Sequence, residues 1–205
     1  MLVLVPPTPL RVAVIGASAG GIEALGAVLP RLSGDWSVVV VMHLSPDRPS
    51  LLPEIFAPRC PFGVKEAEDK EPLSPRTVYF APPDYHVLIE RGLSLALSVD
   101  QRVHHSRPSI DVLFESAADA MGPRARALLL TGASQDGAAG LAAVAAAGGT
   151  TLVQDPASAH APEMPAAALA LCQPTLVLPL EMIAGVLCSE ADPRLDRLAP
   201  YRVAP

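Results

Sequence analysis

Residues 11–21 read RVAVIGASAGG. Arg11 to Ile15 is a short apolar run, rich in β-branched residues, that stops at Gly16. Continuous runs of this kind fit a parallel strand covered on both faces. Gly20 and Gly21 then open a segment with apolar residues at Ile22, Leu25, Val28 and Leu29, a helical period closed by Pro30. A strand, a tight glycine turn and a helix, with one hydroxyl in the turn, is the opening unit of an α/β fold.

The same alternation continues outward. Ser37 to Met42 (SVVVVM) reads as a second buried strand, and Leu51 to Phe56 as a short helix between Pro49 and Pro58. Thr77 to Ala81, Tyr85 to Glu90 and Ser94 to Val99 are short strand-like runs, the last two joined by an Arg91-Gly92 hairpin turn. Ile110 to Met121 has helical spacing, with Ser109 as its N-cap. Arg126 to Leu130 is a core strand, and Ala138 to Ala147 an Ala-rich helix stopped by Gly148-Gly149. Thr150 to Gln154 and Thr175 to Leu178 read as strands, and Pro165 to Leu171 and Leu180 to Cys188 as helices. The expected fold is a three-layer, mostly parallel, Rossmann-like sheet with helices on both faces and a short hairpin. One domain is expected over residues 8–190, with a C-terminal tail over 191–205.

Composition narrows the function. The chain has 205 residues, half of them hydrophobic and only 4% aromatic, with a formal net charge of −6. Scattered arginines and an acidic balance argue against a grip on nucleic acid, and too few aromatics exist for a base-stacking platform. The apolar start, Met1 to Leu10, is broken by Pro6, Pro7 and Pro9 and is too short to span a membrane. Cys60, Cys172 and Cys188 form no metal or redox motif and read as reduced thiols of a cytoplasmic protein.

In a parallel sheet the site lies beyond the carboxyl ends of the strands. Ser18, His43 and Asp136 all follow apolar runs, so all three belong on that edge. Gly16-Ala17-Ser18-Ala19-Gly20 fits the G-x-S-x-G nucleophile elbow; its bland alternative is a phosphate-binding turn or an N-cap serine. A serine hydroxyl is a weak nucleophile until a base takes its proton, and histidine suits that work near neutrality. The bland alternative for His43 is a structural histidine beside an apolar strand. Asp136, in the loop TGASQDG (131–137), would orient the histidine, or else serve only as a turn aspartate. The chain order Ser, His, acid differs from the Ser, acid, His order of α/β-hydrolases.

Taken together these segments resemble the catalytic domain of the chemotaxis protein-glutamate methylesterases over residues 11–188. VAVIGASAGG is similar to that family's nucleophile segment, VVVVMHLSPD to its histidine segment and LTGASQDGAAGL to its aspartate loop. TVYFAPPDYHVLI, RPSIDVLFESAA, AGGTTLVQD and EMPAAAL follow in register. The resemblance implies a Ser18–His43–Asp136 triad that hydrolyses glutamyl methyl esters, and deamidates glutamines, on the cytoplasmic helices of chemoreceptors. No cofactor or metal is implied. Departures are Ala19 where the family has Thr, Ala133-Ser134 where its loop reads Met-Gly, and Glu163 where it has Gly before Met-Pro. Backbone N–H groups at Ala19 and Ala133 remain oxyanion candidates, because donation needs no side chain. Ser134 adds Cβ bulk to the aspartate loop. Family members commonly carry an N-terminal receiver domain, and only residues 1–10 precede the first strand here. Two expectations stand side by side: a trimmed piece of a longer chain, or a free-standing esterase controlled by another route, with a separate receiver protein as one such partner.

Two rival classes remain. A dinucleotide-binding fold is disfavoured, since Ser18 takes the place of the second glycine of G-x-G-x-x-G and Met42-His43 stands where an acidic ribose ligand is expected. A non-catalytic receptor-binding module derived from an esterase, or a hydrolase of another ester, is the other. His86, His104, His105 and His160 show no metal-ligand spacing.

Overall fold

The apolar runs become strands, and the computed structural model describes them within residues 10–44 and 49–188. The strands are β1 (Arg11–Ala17), β2 (Trp36–Met42), β3 (Gly63–Glu66), β4 (Thr77–Phe80), β5 (His86–Ile89), β6 (Leu95–Ser98), β7 (Arg126–Leu129), β8 (Thr150–Gln154) and β9 (Leu176–Leu178). The helices are α1 (Gly21–Val28), α2 (Leu52–Phe56), α3 (Ile110–Met121), α4 (Ala138–Ala146), α5 (Glu163–Leu171) and α6 (Leu180–Leu187). The expected tail, 191–205, lies outside the described residues, as does the C-terminal end of the expected domain.

The main sheet is seven-stranded, in the order β3-β4-β2-β1-β7-β8-β9. Each of its neighbouring pairs is parallel. β5 and β6 form the separate antiparallel hairpin. β1 is central because the chain builds β2, β4 and β3 on one side and then crosses to build β7, β8 and β9 on the other. The strand order therefore reverses at β1, the place where open α/β sheets carry their sites.

Alternation along β1 divides the core in two. Ala13 and Ile15 pack with Leu25 and Val28 of α1, Phe56 of α2 and Ile183 and Leu187 of α6. Val12 and Val14 face the other way, onto Leu113 and Phe114 of α3, Leu141 and Val144 of α4 and Met164 of α5. Every residue of β2 is buried. A continuous valine run suits this, since each fully buried Val contributes about 1.5–3 kcal/mol. The three-layer expectation is met.

The differences are local. β3 was not anticipated: GVKE has no apolar run and lies at the sheet's edge, where charged residues are tolerated. Thr77–Phe80 joins the main sheet between β2 and β3. α5 begins at Glu163, before Pro165, because the first turn of a helix needs no intrahelical N–H from its residues.

Candidate active site

Three loops at the carboxyl edge of adjacent strands supply the candidate residues. Ser18 follows β1 and precedes α1, His43 follows β2, and Asp136 sits between β7 and α4. The backbone knits these loops together. The Ser18 N–H donates to the Thr131 carbonyl at 3.0 Å, and the His43 N–H to the Ala17 carbonyl at 3.2 Å. The Thr131 hydroxyl is 2.9 Å from the Ala19 carbonyl and accepts from the Ala161 N–H at 2.9 Å.

Glycines make the close approach feasible. A Cβ on Gly16 would stand 2.3 Å from Ile110 Cγ2, and one on Gly132 would stand 2.9 Å from Ser18 Cβ and 2.5 Å from Met164 Cε. Gly20, the residue before α1, has φ 76°, the left-handed region that favours glycine.

The structure brings Ser18, His43 and Asp136 into one hydrogen-bonded chain. Ser18 Oγ lies 3.2 Å from His43 Nδ1, and His43 Nε2 lies 2.7 Å from Asp136 Oδ2. An ionised carboxylate can only accept, so Nε2 carries the proton and Nδ1 is left to accept from the serine. The ring is thus turned relative to the serine-protease arrangement, in which Nε2 faces the serine. Ser18 and His43 are half-buried, whereas Asp136 is fully buried.

Asp136 is held by much more than histidine. Its Oδ2 also accepts the Ile110 N–H at 2.8 Å, and its Oδ1 accepts the Asp111 N–H at 2.9 Å and the Ser109 hydroxyl at 2.7 Å. The carboxylate therefore sits on the N-terminus of α3, where the helix dipole favours negative charge. Burial works against ionisation, but the bonds from His43, Asp111, Ile110 and Ser109 outweigh it and hold the carboxyl below its ordinary range. The His43 ring thus has an ionised partner throughout the neutral range.

A second buried acid mirrors the first. Asp111, in the first turn of α3, accepts the Gly137 N–H at 2.9 Å and the Gly140 N–H at 2.7 Å from the start of α4. Asp136, just ahead of α4, caps α3; Asp111, inside α3, caps α4. Burial raises the Asp111 carboxyl, the N–H of Gly140 opposes this, and nearby Asp136 raises it further. Its Oδ2 lies 3.3 Å from His104 Nε2.

The remaining candidates fall as follows. The backbone N–H groups of Ala19 and Ala133 make no hydrogen bond among the described residues, and both residues are exposed at the mouth of the site. Ser134 is not among the residues with left-handed backbone, and its hydroxyl accepts the Asp136 N–H at 3.3 Å. Its added bulk is thus accommodated in a loop of ordinary geometry. Beside His43 a cavity of about 70 Å³ is lined by Leu44, Arg102, His105, Ser106, Arg107 and Pro108. Among the described residues no group of His, Cys, Asp and Glu has the clustering of a metal site. His86 and Ser109 were not singled out as site residues from the sequence; Ser109 was legible as a helix cap, but its bond to Asp136 spans 27 positions and left no local signal.

A hydroxyl, an imidazole and a buried carboxylate chained in this order is an arrangement that serine hydrolases use. The chain belongs to the CheB methylesterase family, whose model matches residues 13–187. A protein of Leptospira interrogans named a putative protein-glutamate methylesterase/protein-glutamine glutaminase is 42% identical over 173 residues, covering 83% of this chain and 90% of its own. Protein-glutamate methylesterase/protein-glutamine glutaminase 2 of Caulobacter vibrioides is 34% identical over 192 residues, and there this chain spans only 55% of the relative's length. The crystal structure of the Thermotoga maritima CheB methylesterase catalytic domain superposes with a TM-score of 0.81 at 28% identity, covering 88% of this chain and 98% of that one.

Proposed function

We propose that the protein is a protein-glutamate methylesterase and protein-glutamine glutaminase that acts on chemoreceptors through Ser18, His43 and Asp136. The observation that carries this reading is the unbroken chain from Ser18 Oγ through the His43 ring to Asp136 Oδ2, at 3.2 and 2.7 Å. Family membership supplies the substrate class, as the relatives' names state it.

The geometry suits a two-step acyl transfer. Ser18 Oγ attacks the carbonyl carbon of the glutamyl ester while its proton passes to His43 Nδ1. The tetrahedral oxyanion is met by N–H groups at the mouth, for which Ala19 and Ala133 are the candidates; losing one such donor costs about 10²–10³-fold. Collapse breaks the bond to the methoxy oxygen, which leaves as methanol with the proton from His43. Water then attacks the acyl-Ser18 ester, its proton going to Nδ1, and glutamate leaves as Ser18 Oγ recovers that proton. With glutamine the leaving group is ammonia and the rest is unchanged. Asp136 stabilises the imidazolium formed in each step and stays ionised.

The receptor's cytoplasmic helical region is the proposed partner, and the cytoplasm the proposed location. Among the described residues no helix is long and apolar enough to cross a membrane. The test is methanol release from methyl-labelled chemoreceptor membranes, with Ser18→Ala as control. Release that disappears in the variant supports both substrate and nucleophile. Absence of release from the native protein, with Ser18 still labelled by a fluorophosphonate, would reassign it to a different ester. Absence of both would favour a non-catalytic binding module.

A further inference from the structure

His86 and Ser109 take no part in the reacting chain, yet both are more deeply buried than His43: His86 is 1% exposed and Ser109 0%. His86 Nε2 lies 3.1 Å from the Gln101 carbonyl. A carbonyl can only accept, so this nitrogen carries the proton and Nδ1 is an acceptor. Nδ1 takes the backbone N–H of Ser109 at 3.1 Å. Both ring nitrogens are thereby used, one to fix the ring and one to fix the residue that caps α3.

Ser109 passes that placement on. Its hydroxyl accepts the Val112 N–H at 3.5 Å, as an N-cap does, and donates its own proton to Asp136 Oδ1 at 2.7 Å. Capping a helix needs only the acceptor half of a hydroxyl. The donor half is spent on the acid, and the bond is short, as expected for a hydroxyl on a carboxylate.

The carboxylate has two donors on each oxygen: Ser109 Oγ and Asp111 N on Oδ1, Ile110 N and His43 Nε2 on Oδ2. Removing the Ser109 hydroxyl leaves Oδ1 with one N–H. The Asp111 and Ile110 N–H groups still hold one oxygen each, but the carboxyl plane has lost its one hydroxyl donor and is held less tightly about its Cβ–Cγ bond, so Oδ2 shifts against the His43 ring. We propose that His86 and Ser109 are positioning residues: His86 sets Ser109, Ser109 sets the plane of Asp136, and Asp136 sets the His43 ring toward Ser18. Its catalytic consequence rests on the hydrolase reading above; its structural content, the orientation of Asp136, does not.

The experiment reads the two separately. The downfield proton resonance of the bond shared by His43 Nε2 and Asp136 is recorded in the resting protein, and the rate of covalent labelling of Ser18 by a fluorophosphonate is measured alongside. The variants are Ser109→Ala with Ser109→Thr, and His86→Leu with His86→Asn. Threonine keeps the hydroxyl, and the Asn Oδ1 stands near the place of the imidazole Nδ1. Ser109→Ala and His86→Leu are expected to broaden or lose the resonance and to slow labelling on the order of 10²-fold, the scale of a misplacement of about 1 Å. Ser109→Thr and His86→Asn are expected to recover both. A resonance and labelling rate unchanged in Ser109→Ala overturn the proposal, as does equal loss in the conservative variants. If His86→Leu does not fold, the Ser109 pair decides alone. If the resonance follows the expected pattern while native Ser18 never labels, the hydrolase reading falls and the positioning of Asp136 stands.

Discussion

Two buried carboxylates, Asp136 and Asp111, lie on the same pair of helix ends and are shifted in opposite directions. The Asp136 carboxyl is held below its ordinary value by its hydrogen-bond donors against the pull of burial. Its contribution to stability is therefore present above the unfolded value of about 3.9 and is lost as pH falls through the folded value. The Asp111 carboxyl is raised, by burial first and by Asp136 after it. Its contribution is full below the unfolded value and is lost as pH rises through the raised one. Asp136→Asn should flatten the acid limb of a urea-denaturation profile below about pH 4 and reduce fluorophosphonate labelling of Ser18 about 10⁴-fold, the cost of the same change in the serine-protease template. Asp111→Asn keeps an oxygen for Gly137 and Gly140 and should make stability less dependent on pH above the ordinary aspartate range. Asp111→Ala, which leaves both N–H groups without their acceptor, should cost about 1–3 kcal/mol in urea denaturation. The sequence placed Asp136 in the right loop and on the right edge because those follow from strand ends. It did not show which imidazole nitrogen faces the acid, since ring orientation is set by partners far along the chain.

At the scale of elements, glycine shows where packing overrules propensity. Gly26, in α1, has nothing within 4 Å of where a Cβ would sit. Gly140, in α4, would place a Cβ 2.6 Å from Phe114 Cβ and 2.8 Å from the Asp111 carbonyl oxygen. Alanine gains about 1 kcal/mol over glycine in a helix interior. Gly26→Ala should thus raise stability by up to that amount. At position 140 the same gain competes with overpacking, which typically costs 1–3 kcal/mol. Part of the clash is with backbone, so α4 must back away from α3 and carry the Asp136 loop with it. Gly140→Ala should lower the thermal midpoint and slow Ser18 labelling together, whereas Gly26→Ala should raise the midpoint without touching labelling. Helix Ile110–Met121 and strand Thr150–Gln154 were legible to the residue because their caps and apolar periods are local. Strand Gly63–Glu66 was not, because an edge strand of GVKE is defined by the neighbour it pairs with and not by its own pattern.

Across the whole molecule, the fold sets Ser18 at the carboxyl edge of the sheet and packs the thiols against its two core layers. Cys188 is buried in the layer of α1 and α6, and Cys60 packs against the same layer. Cys172 packs on the opposite layer, and all three are free. Burial pushes the Cys188 thiol up to about 11, and burial raises Cys60 and Cys172 as well. The thiolate is the reactive form, so at pH 7 only roughly one Cys188 in 10⁴ carries it. The carboxyl edge of the sheet, by contrast, opens Ser18 to solvent beside a base. Iodoacetamide on the folded protein at pH 7 should therefore leave fluorophosphonate labelling of Ser18 unchanged, and full alkylation of the thiols should appear only on the unfolding transition. If brief native alkylation abolished Ser18 labelling instead, a thiol would have to communicate with the site through the core, and the rigid two-layer packing around β1 would be the wrong description of this domain.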